Sequence, residues 1–154
     1  MTPEERKKVA EIIVQQVKHR VPVVVHVGAV DPYTAIDLGK HAKSIGAEAI
    51  GHVGPYYYAD RSEYEIIEHF KMVDRALGMP ILVYNNPRYS GYNIHPAFMA
   101  RLVESVPEYL RREAGDGQRR RSDGLHEDGQ STVCALCSRE QFSFGDVRRR
   151  RRHH

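Results

Sequence analysis

Short, continuous runs of β-branched residues, each preceded by an amphipathic helical pattern, constrain the fold of this chain most. The clearest run is residues 21–27, Val-Pro-Val-Val-Val-His-Val, which Gly28 ends. Its apolar residues do not alternate with polar ones, a pattern typical of a strand buried on both faces of a parallel sheet. Shorter strands are predicted within residues 47–53 and 80–84.

Four helices are predicted around these strands. Thr2 to Glu5 and Ser62 to Glu65 both have capping-box spacing, and further helices begin near Thr34 and Pro96. The alternation of helix and strand, with strand starts separated by roughly 25 to 35 residues, is that of right-handed βαβ units. It predicts a parallel α/β sheet, although three strands do not separate a piece of a (β/α)8 barrel from a doubly wound sheet.

Charge divides the chain in two. The net charge is +3, yet residues 1–107 hold 12 Lys+Arg against 12 Asp+Glu, so the excess lies in residues 108–154. That tail has 11 arginines and 8 acids, with no lysine after Lys71. We therefore predict one α/β unit over residues 1–107 and a tail over residues 108–154 that is disordered or translated out of frame.

The composition also limits the class of protein. The chain contains no apolar run of about 18 residues, and its first residues do not resemble a signal peptide, so a cytoplasmic location without a membrane partner is expected. The Cys134–Cys137 spacing offers only a weak alternative of a zinc or redox site. Arg148 to Arg152 offers nucleic-acid binding as an alternative, but a solvated charge run is the more common explanation.

Functional residues of parallel α/β folds gather where the strands end, and here those positions are rich in phenols and amides. The third strand ends in Tyr84, and Asn85 follows it. Arg88 could hold a carboxylate in bidentate fashion, and Gly91 lets backbone approach a ligand. Together these groups indicate a small anionic substrate. The alternative for Tyr56 to Tyr58 is that they pack under loops or against a partner subunit.

Histidines and acids elsewhere show no such convergence. His26, His52 and His69 are scattered without metal-ligand spacing, so we predict packing or surface roles for most histidines and no metal site. Glu68 and Asp74 are predicted to lie on the solvated face of the third helix.

A series of motifs falls in the order seen in one enzyme family. The chain resembles the dihydrodipicolinate synthase and N-acetylneuraminate lyase family of Schiff-base pyruvate aldolases over residues 2 to about 107. The motifs are Thr-Pro-Glu-Glu-Arg (2–6), Arg-Val-Pro-Val (20–23), His-Val-Gly-Ala (26–29), Ala-Ile-Asp-Leu (35–38), Gly-Ala-Glu-Ala (46–49), Pro-Tyr-Tyr (55–57), His-Phe (69–70), Pro-Ile-Leu-Val-Tyr-Asn-Asn-Pro (80–87) and Ser-Gly (90–91). The resemblance implies a partial (β/α)8 barrel, from the second helix through the fifth.

The resemblance also implies a chemistry without a cofactor. A lysine on the sixth strand of the barrel would form a Schiff base with pyruvate, whose enamine then adds to an aldehyde. Tyr84 matches the proton-relay tyrosine, and Tyr57 matches a tyrosine that reaches into a neighbouring subunit, so a homodimer or tetramer is implied. Tyr89 stands where the synthases have a substrate-binding arginine, with Arg88 one residue early, which puts their substrate in doubt.

Two parts of the family's site have no counterpart in this sequence. The hydroxyl-rich loop that holds the pyruvate carboxylate is absent, and residues 109–113, where a Gly-x-Lys strand is expected, read Tyr-Leu-Arg-Arg-Glu. Arginine stays protonated and cannot replace the amine. We therefore expect a chain that is inactive alone, and hypothesise a frame shift near Leu110. The alternative is a non-catalytic fragment that associates with full-length subunits through Tyr56 and Tyr57.

Overall fold

The structure is a computed structural model that describes residues 1–58 and 60–106 in full and the backbone of residues 132–136. Helices and strands alternate along it, as the sequence predicted. In chain order the elements are α1 (Pro3–Val17), β1 (Val24–His26), α2 (Pro32–Ser44), β2 (Ala49–His52), α3 (Glu63–Leu77), β3 (Ile81–Asn85), α4 (Pro87–Ser90), α5 (Pro96–Ser105) and β4 (Thr132–Leu136).

The sheet has the order β1-β2-β3-β4. The first three strands are parallel, with His26 opposite Gly51 and Gly51 opposite Leu82. This confirms the predicted parallel α/β arrangement. The fourth strand was not predicted: β4 pairs antiparallel with β3, so it covers one of the two sheet edges that three strands would leave open. The rest of the predicted tail, including Arg148 to Arg152 and Cys137, lies outside the described residues.

The core lies on one side of the sheet, beneath α2, α3 and α5. Ile50 and Val83 point to that side from the strands, and Phe70 and Leu102 meet them from the helices, each with no exposed surface. Close packing of α2 on α3 depends on Gly39. A Cβ added there would lie 2.3 Å from a methyl carbon of Leu77, so any larger residue would push the two helices apart.

Local signals in the sequence account for most helix ends. Thr2 and Ser62 form the two predicted capping boxes, each with its glutamate bonded back to the cap residue. The four-residue α4 was not predicted. The assignment of Asp74 to a solvated face was wrong, because that side chain is only 2% exposed, whereas Glu68 is partly exposed and pairs with Lys71 at 2.7 Å.

The apolar side of α1 and the outer edge of β1 are less covered. Val9, Ile12 and Ile13 are each nearly half exposed, and a cleft lies between them and the strand. None of the helices in the described part of the chain has the length and apolar character needed to cross a membrane.

Candidate active-site face

The side of the sheet opposite the helices carries the polar strand ends. Because successive side chains of a strand alternate between faces, the residues that neighbour the core-facing Ile50 and Val83 must point away from the helices. We call this side the inner face. Its members are Val24 and His26 on β1, Ala49 and Gly51 on β2, and Leu82 and Tyr84 on β3. His26, Gly51 and Leu82 form one row of the sheet, and Tyr84 lies two residues further along β3.

Tyr84 stands at the end of β3 on the inner face and is partly exposed. Its hydroxyl oxygen accepts a hydrogen bond from the side-chain amide of Asn86 at 2.9 Å. Because the amide is the donor in that contact, the phenolic proton is left free to point toward a ligand on the open side. A phenol whose proton is not committed to another group can donate or pass a proton.

His26 lies beside Tyr84 on the same face. Their rings are perpendicular, with centroids 5.8 Å apart. Partial burial, with a smaller contribution from the positive charge of Arg6, lowers the pKa of His26, so its imidazole is neutral at neutral pH. From the sequence, His26 was predicted to be one of the packing or surface histidines. Its position at a strand end was the one sequence feature that could have indicated a place near Tyr84.

Asn85, predicted to bind substrate, has its amide committed to the loop that follows β3. The amide nitrogen donates to Asn93 Oδ1 at 2.9 Å, and the amide oxygen accepts from the backbone N–H of Ile94 at 3.1 Å. The side chain is buried on the helix side of the sheet, with Val83. The structure therefore places Asn85 behind the inner face, where it stabilises the loop that supports Tyr84.

Arg88, Tyr89 and Gly91 lie in and just after α4, beyond the end of β3. Arg88 is exposed, and its guanidinium carbon lies 5.9 Å from the centroid of the Tyr89 ring, which is itself 72% exposed. Gly91 ends α4 in the left-handed conformation, with φ of 80°. These groups form an open rim and not an enclosed pocket.

Tyr57 is exposed, at 76%, in the loop after β2. Its φ of 89° is uncommon for a residue other than glycine. Its ring meets that of Tyr58 edge-on at 5.0 Å, and the guanidinium of Arg61 lies 5.6 Å from the Tyr58 ring. An aromatic surface therefore projects from the loop after β2.

Two buried histidines lie on the other side of the sheet. His52 and His69 stack with centroids 5.1 Å apart, against Phe70. Among the described residues, both ring nitrogens of His52 and Nε2 of His69 have no hydrogen-bond partner. Burial lowers the pKa of His52 well below its ordinary value and that of His69 to about 4. Both rings are neutral packing groups, as predicted for most histidines.

Within the described chain, no lysine lies on the strands that form the inner face. Every lysine of the sequence falls on or at the end of a helix, at positions 7, 8, 18, 40, 43 and 71. Within residues 1–58 and 60–106, no three histidine, cysteine or carboxylate side chains are grouped to hold a metal ion.

Parallel strands with their core and helices on one side only are typical of a segment of an α/β barrel. The family comparison makes this specific. Residues 1–112 match the model of the Dihydrodipicolinate synthetase family, and the chain belongs to that family. The resemblance found in the sequence motifs is confirmed.

Curated relatives carry the name 4-hydroxy-tetrahydrodipicolinate synthase. The protein from Acetivibrio thermocellus is 38% identical over 104 residues, which is 68% of this chain and 35% of the relative. That from Geotalea daltonii is 34% identical over 141 residues, 92% of this chain and 48% of the relative. The chain thus spans between about a third and a half of the length of the relatives it matches.

Solved structures agree with this placement. YagE, a prophage protein of the dihydrodipicolinic acid synthase family from E. coli K12, solved in complex with pyruvate, matches with a TM-score of 0.66 and 32% identity over 70% of this chain and 36% of its own. The dihydrodipicolinate synthase of Aquifex aeolicus matches with a TM-score of 0.64 and 31% identity over 70% of this chain and 36% of its own. The fold described here is therefore a fragment of that barrel.

Proposed function

We propose that this chain carries the tyrosine side of a site for Schiff-base lyase chemistry, in which pyruvate and an aldehyde are condensed or a longer 2-oxo acid is cleaved. The observation that carries the proposal is Tyr84, placed at a strand end on the open face with its hydroxyl proton free. The family's match over residues 1–112 and the relative solved with pyruvate support this chemistry.

The reaction needs an amine and a proton relay. An amine attacks the ketone carbon of pyruvate and water leaves, which gives an imine; loss of a methyl proton then gives an enamine. The enamine carbon bonds to the aldehyde carbon, and the aldehyde oxygen gains a proton. Water hydrolyses the imine and returns the amine. We assign to Tyr84 the transfer of protons to and from the reacting oxygen atoms.

By itself the chain supplies no amine to this face, because all its lysines lie on helices. We therefore propose that it does not form the Schiff base alone. The frame-shift hypothesis concerns residues outside the described part, and the coding DNA tests it. A frame that spells Gly-x-Lys shortly after Val106 supports it, and an early stop codon in that frame contradicts it.

The aldehyde end of the site is assigned to the rim around α4. Arg88 would attract an anionic substituent, Tyr89 would limit its size, and Gly91 would allow close backbone approach. Since the synthases' arginine position holds Tyr89 here, we propose a substrate other than the aldehyde of lysine biosynthesis.

The test is a pyruvate titration of the full chain, followed through the ring signals of 13C-labelled tyrosines. Because only one face of the site is present, we expect pyruvate to bind weakly, with a Kd of about 1 mM or above. Binding should shift the 13C signal of the Tyr84 ring. Tyr84→Phe identifies the signal, and Tyr33→Phe, on exposed α2 surface, serves as the matched control. Pyruvate that moves no tyrosine signal, or moves Tyr33 as much as Tyr84, contradicts the proposal.

The second candidate is association with intact family subunits. It is favoured by the exposed Tyr57 and Tyr58 pair, since large exposed aromatic groups are typical of interfaces. We expect the chain to join a full-length relative in native mass spectrometry, and Tyr57→Ser to weaken that complex. Tyr64→Ser, which removes an equally exposed ring from α3, should not. Equal effects of both variants would refute the interface.

A further inference from the structure

We propose that His26 is a positioning residue for Tyr84: its imidazole, perpendicular to the phenol ring across Gly51, fixes the plane of that ring on the inner face. The effect of His26 on catalysis rests on the proposed function. The contact between His26 and Tyr84 rests only on the geometry of the chain. Nothing in the sequence motifs assigns His26 a role.

The two rings approach each other diagonally across β2, where the residue paired with His26 is a glycine and has no side chain. His26 on β1 is paired with Gly51 on β2, and Gly51 is paired with Leu82, two residues before Tyr84 on β3. A Cβ built on Gly51 would already lie 3.5 Å from His26 Cδ2, in van der Waals contact. A longer side chain would therefore occupy the space through which the rings, 5.8 Å apart, make contact.

The backbone that carries His26 is also fixed. Arg6, from the first turns of α1, donates to the carbonyl oxygen of His26 at 2.9 Å and to that of Gly28 at 3.1 Å. Gly28 leaves room for the imidazole, since a Cβ at that position would lie 2.6 Å from His26 Cε1. These contacts hold the imidazole over Gly28 and toward Tyr84.

Tyr84 is thereby constrained at two places. The Asn86 amide holds its hydroxyl at 2.9 Å, and the His26 ring meets its aromatic face or edge at a right angle. These two contacts narrow the range of positions open to the phenol, which is how a positioned acid gains its advantage. His26 would act through Tyr84 and not on the substrate directly.

The experiment uses the full chain with 13C-labelled tyrosine and follows the ring signals of Tyr84, assigned by Tyr84→Phe. We expect His26→Ala to move these signals toward the values of an exposed tyrosine. Gly28→Ala, which leaves His26 in place but displaces its ring, should move them in the same direction. His26→Phe restores a perpendicular ring and should return the signals toward the starting values. His19→Ala, at an exposed histidine, is the control.

Two outcomes would overturn the proposal: Tyr84 signals that are unchanged in His26→Ala, or signals that shift equally in His26→Ala and His26→Phe. Circular dichroism of each variant separates loss of this contact from loss of fold, and His26→Phe, which keeps an aromatic ring at that position, keeps the test available if His26→Ala unfolds. Pyruvate titration of the same samples is a separate arm. There His26→Ala should weaken binding about fivefold, with rescue by His26→Phe. If pyruvate fails to bind even the unaltered chain, the proposed function falls, while the ring signals still decide the role of His26.

Discussion

The two faces of the sheet differ in what they need to be stable. On the helix side, Phe70, Val83 and Leu102 are fully buried against one another, so that face is complete within the chain. On the inner face, Val24 is 38% exposed and Tyr84 is partly exposed, and their polar neighbours face outward. The contrast indicates that most of the stability comes from the helix side, while the side on which we propose the chemistry keeps positions open to solvent.

Truncation of Phe70 is the strongest way to test this contrast. Phe70 has no exposed surface and packs against His52, so Phe70→Ala should lower the free energy of unfolding by about 3–5 kcal/mol. Urea unfolding followed by circular dichroism measures the change. A loss below about 1 kcal/mol would mean that the helix-side core is not what holds the chain together.

Acid should destabilise the same face. In the folded chain the pKa of His69 is about 4, against an ordinary value of 6.5. Burial also lowers the pKa of His52 well below 6.5. Between those values the unfolded chain binds protons that the folded chain does not. The free energy of unfolding therefore falls as pH drops through 6.5 toward 4, by about 1.4 kcal/mol per pH unit for each histidine. After burial, the charge of Arg61 lowers the pKa of His69 and that of Asp31 raises it, while His69 and His26 lower the pKa of His52.

The variants for this experiment separate the two faces. His69→Phe keeps an aromatic ring against His52 and removes one titrating group, so the pH dependence of unfolding should fall by about half. His19→Ala, at an exposed position, should leave it unchanged. A slope that persists in full in His69→Phe would show that acid sensitivity comes from groups outside the core.

The smallest expected effect belongs to the inner face. Tyr84→Phe removes only the hydroxyl that accepts from Asn86, in a partly exposed site, and should cost about 0.5–1.5 kcal/mol. Side-by-side urea unfolding with Phe70→Ala checks this. If Tyr84→Phe destabilised the chain as much as the core truncation, the division of labour between the faces would be wrong.

The helix side of the sheet was easier to predict from the sequence than the inner face. The helix-side core was predictable because its residues recur at helical spacing and the strands are continuous apolar runs, and the capping boxes at Thr2 and Ser62 are local signals. The pairing of β4 with β3 was not, because it joins segments far apart in the chain. The burial of Asp74 is likewise a tertiary effect that overrides a pattern of charges.

Residues of the candidate site could be predicted from the sequence, but their arrangement relative to one another could not. Tyr84 could be named from its strand end and Tyr57 from the family resemblance. That Asn85 lies behind the face follows from the alternation of side chains, because its neighbour Tyr84 points forward. The meeting of His26 with Tyr84 depends on a strand register that puts Gly51 opposite His26, and register cannot be predicted from any single segment.

The most direct test of the central claim, that this chain carries the tyrosine side of the site but no amine for it, is borohydride trapping with pyruvate. Hydride reduces an imine to a stable secondary amine, so any Schiff base leaves a permanent adduct detectable by intact mass, with the E. coli K12 relative solved with pyruvate as the reference protein. We predict an adduct on the reference and none on this chain. A saturable adduct that maps to one lysine of this chain would contradict the account.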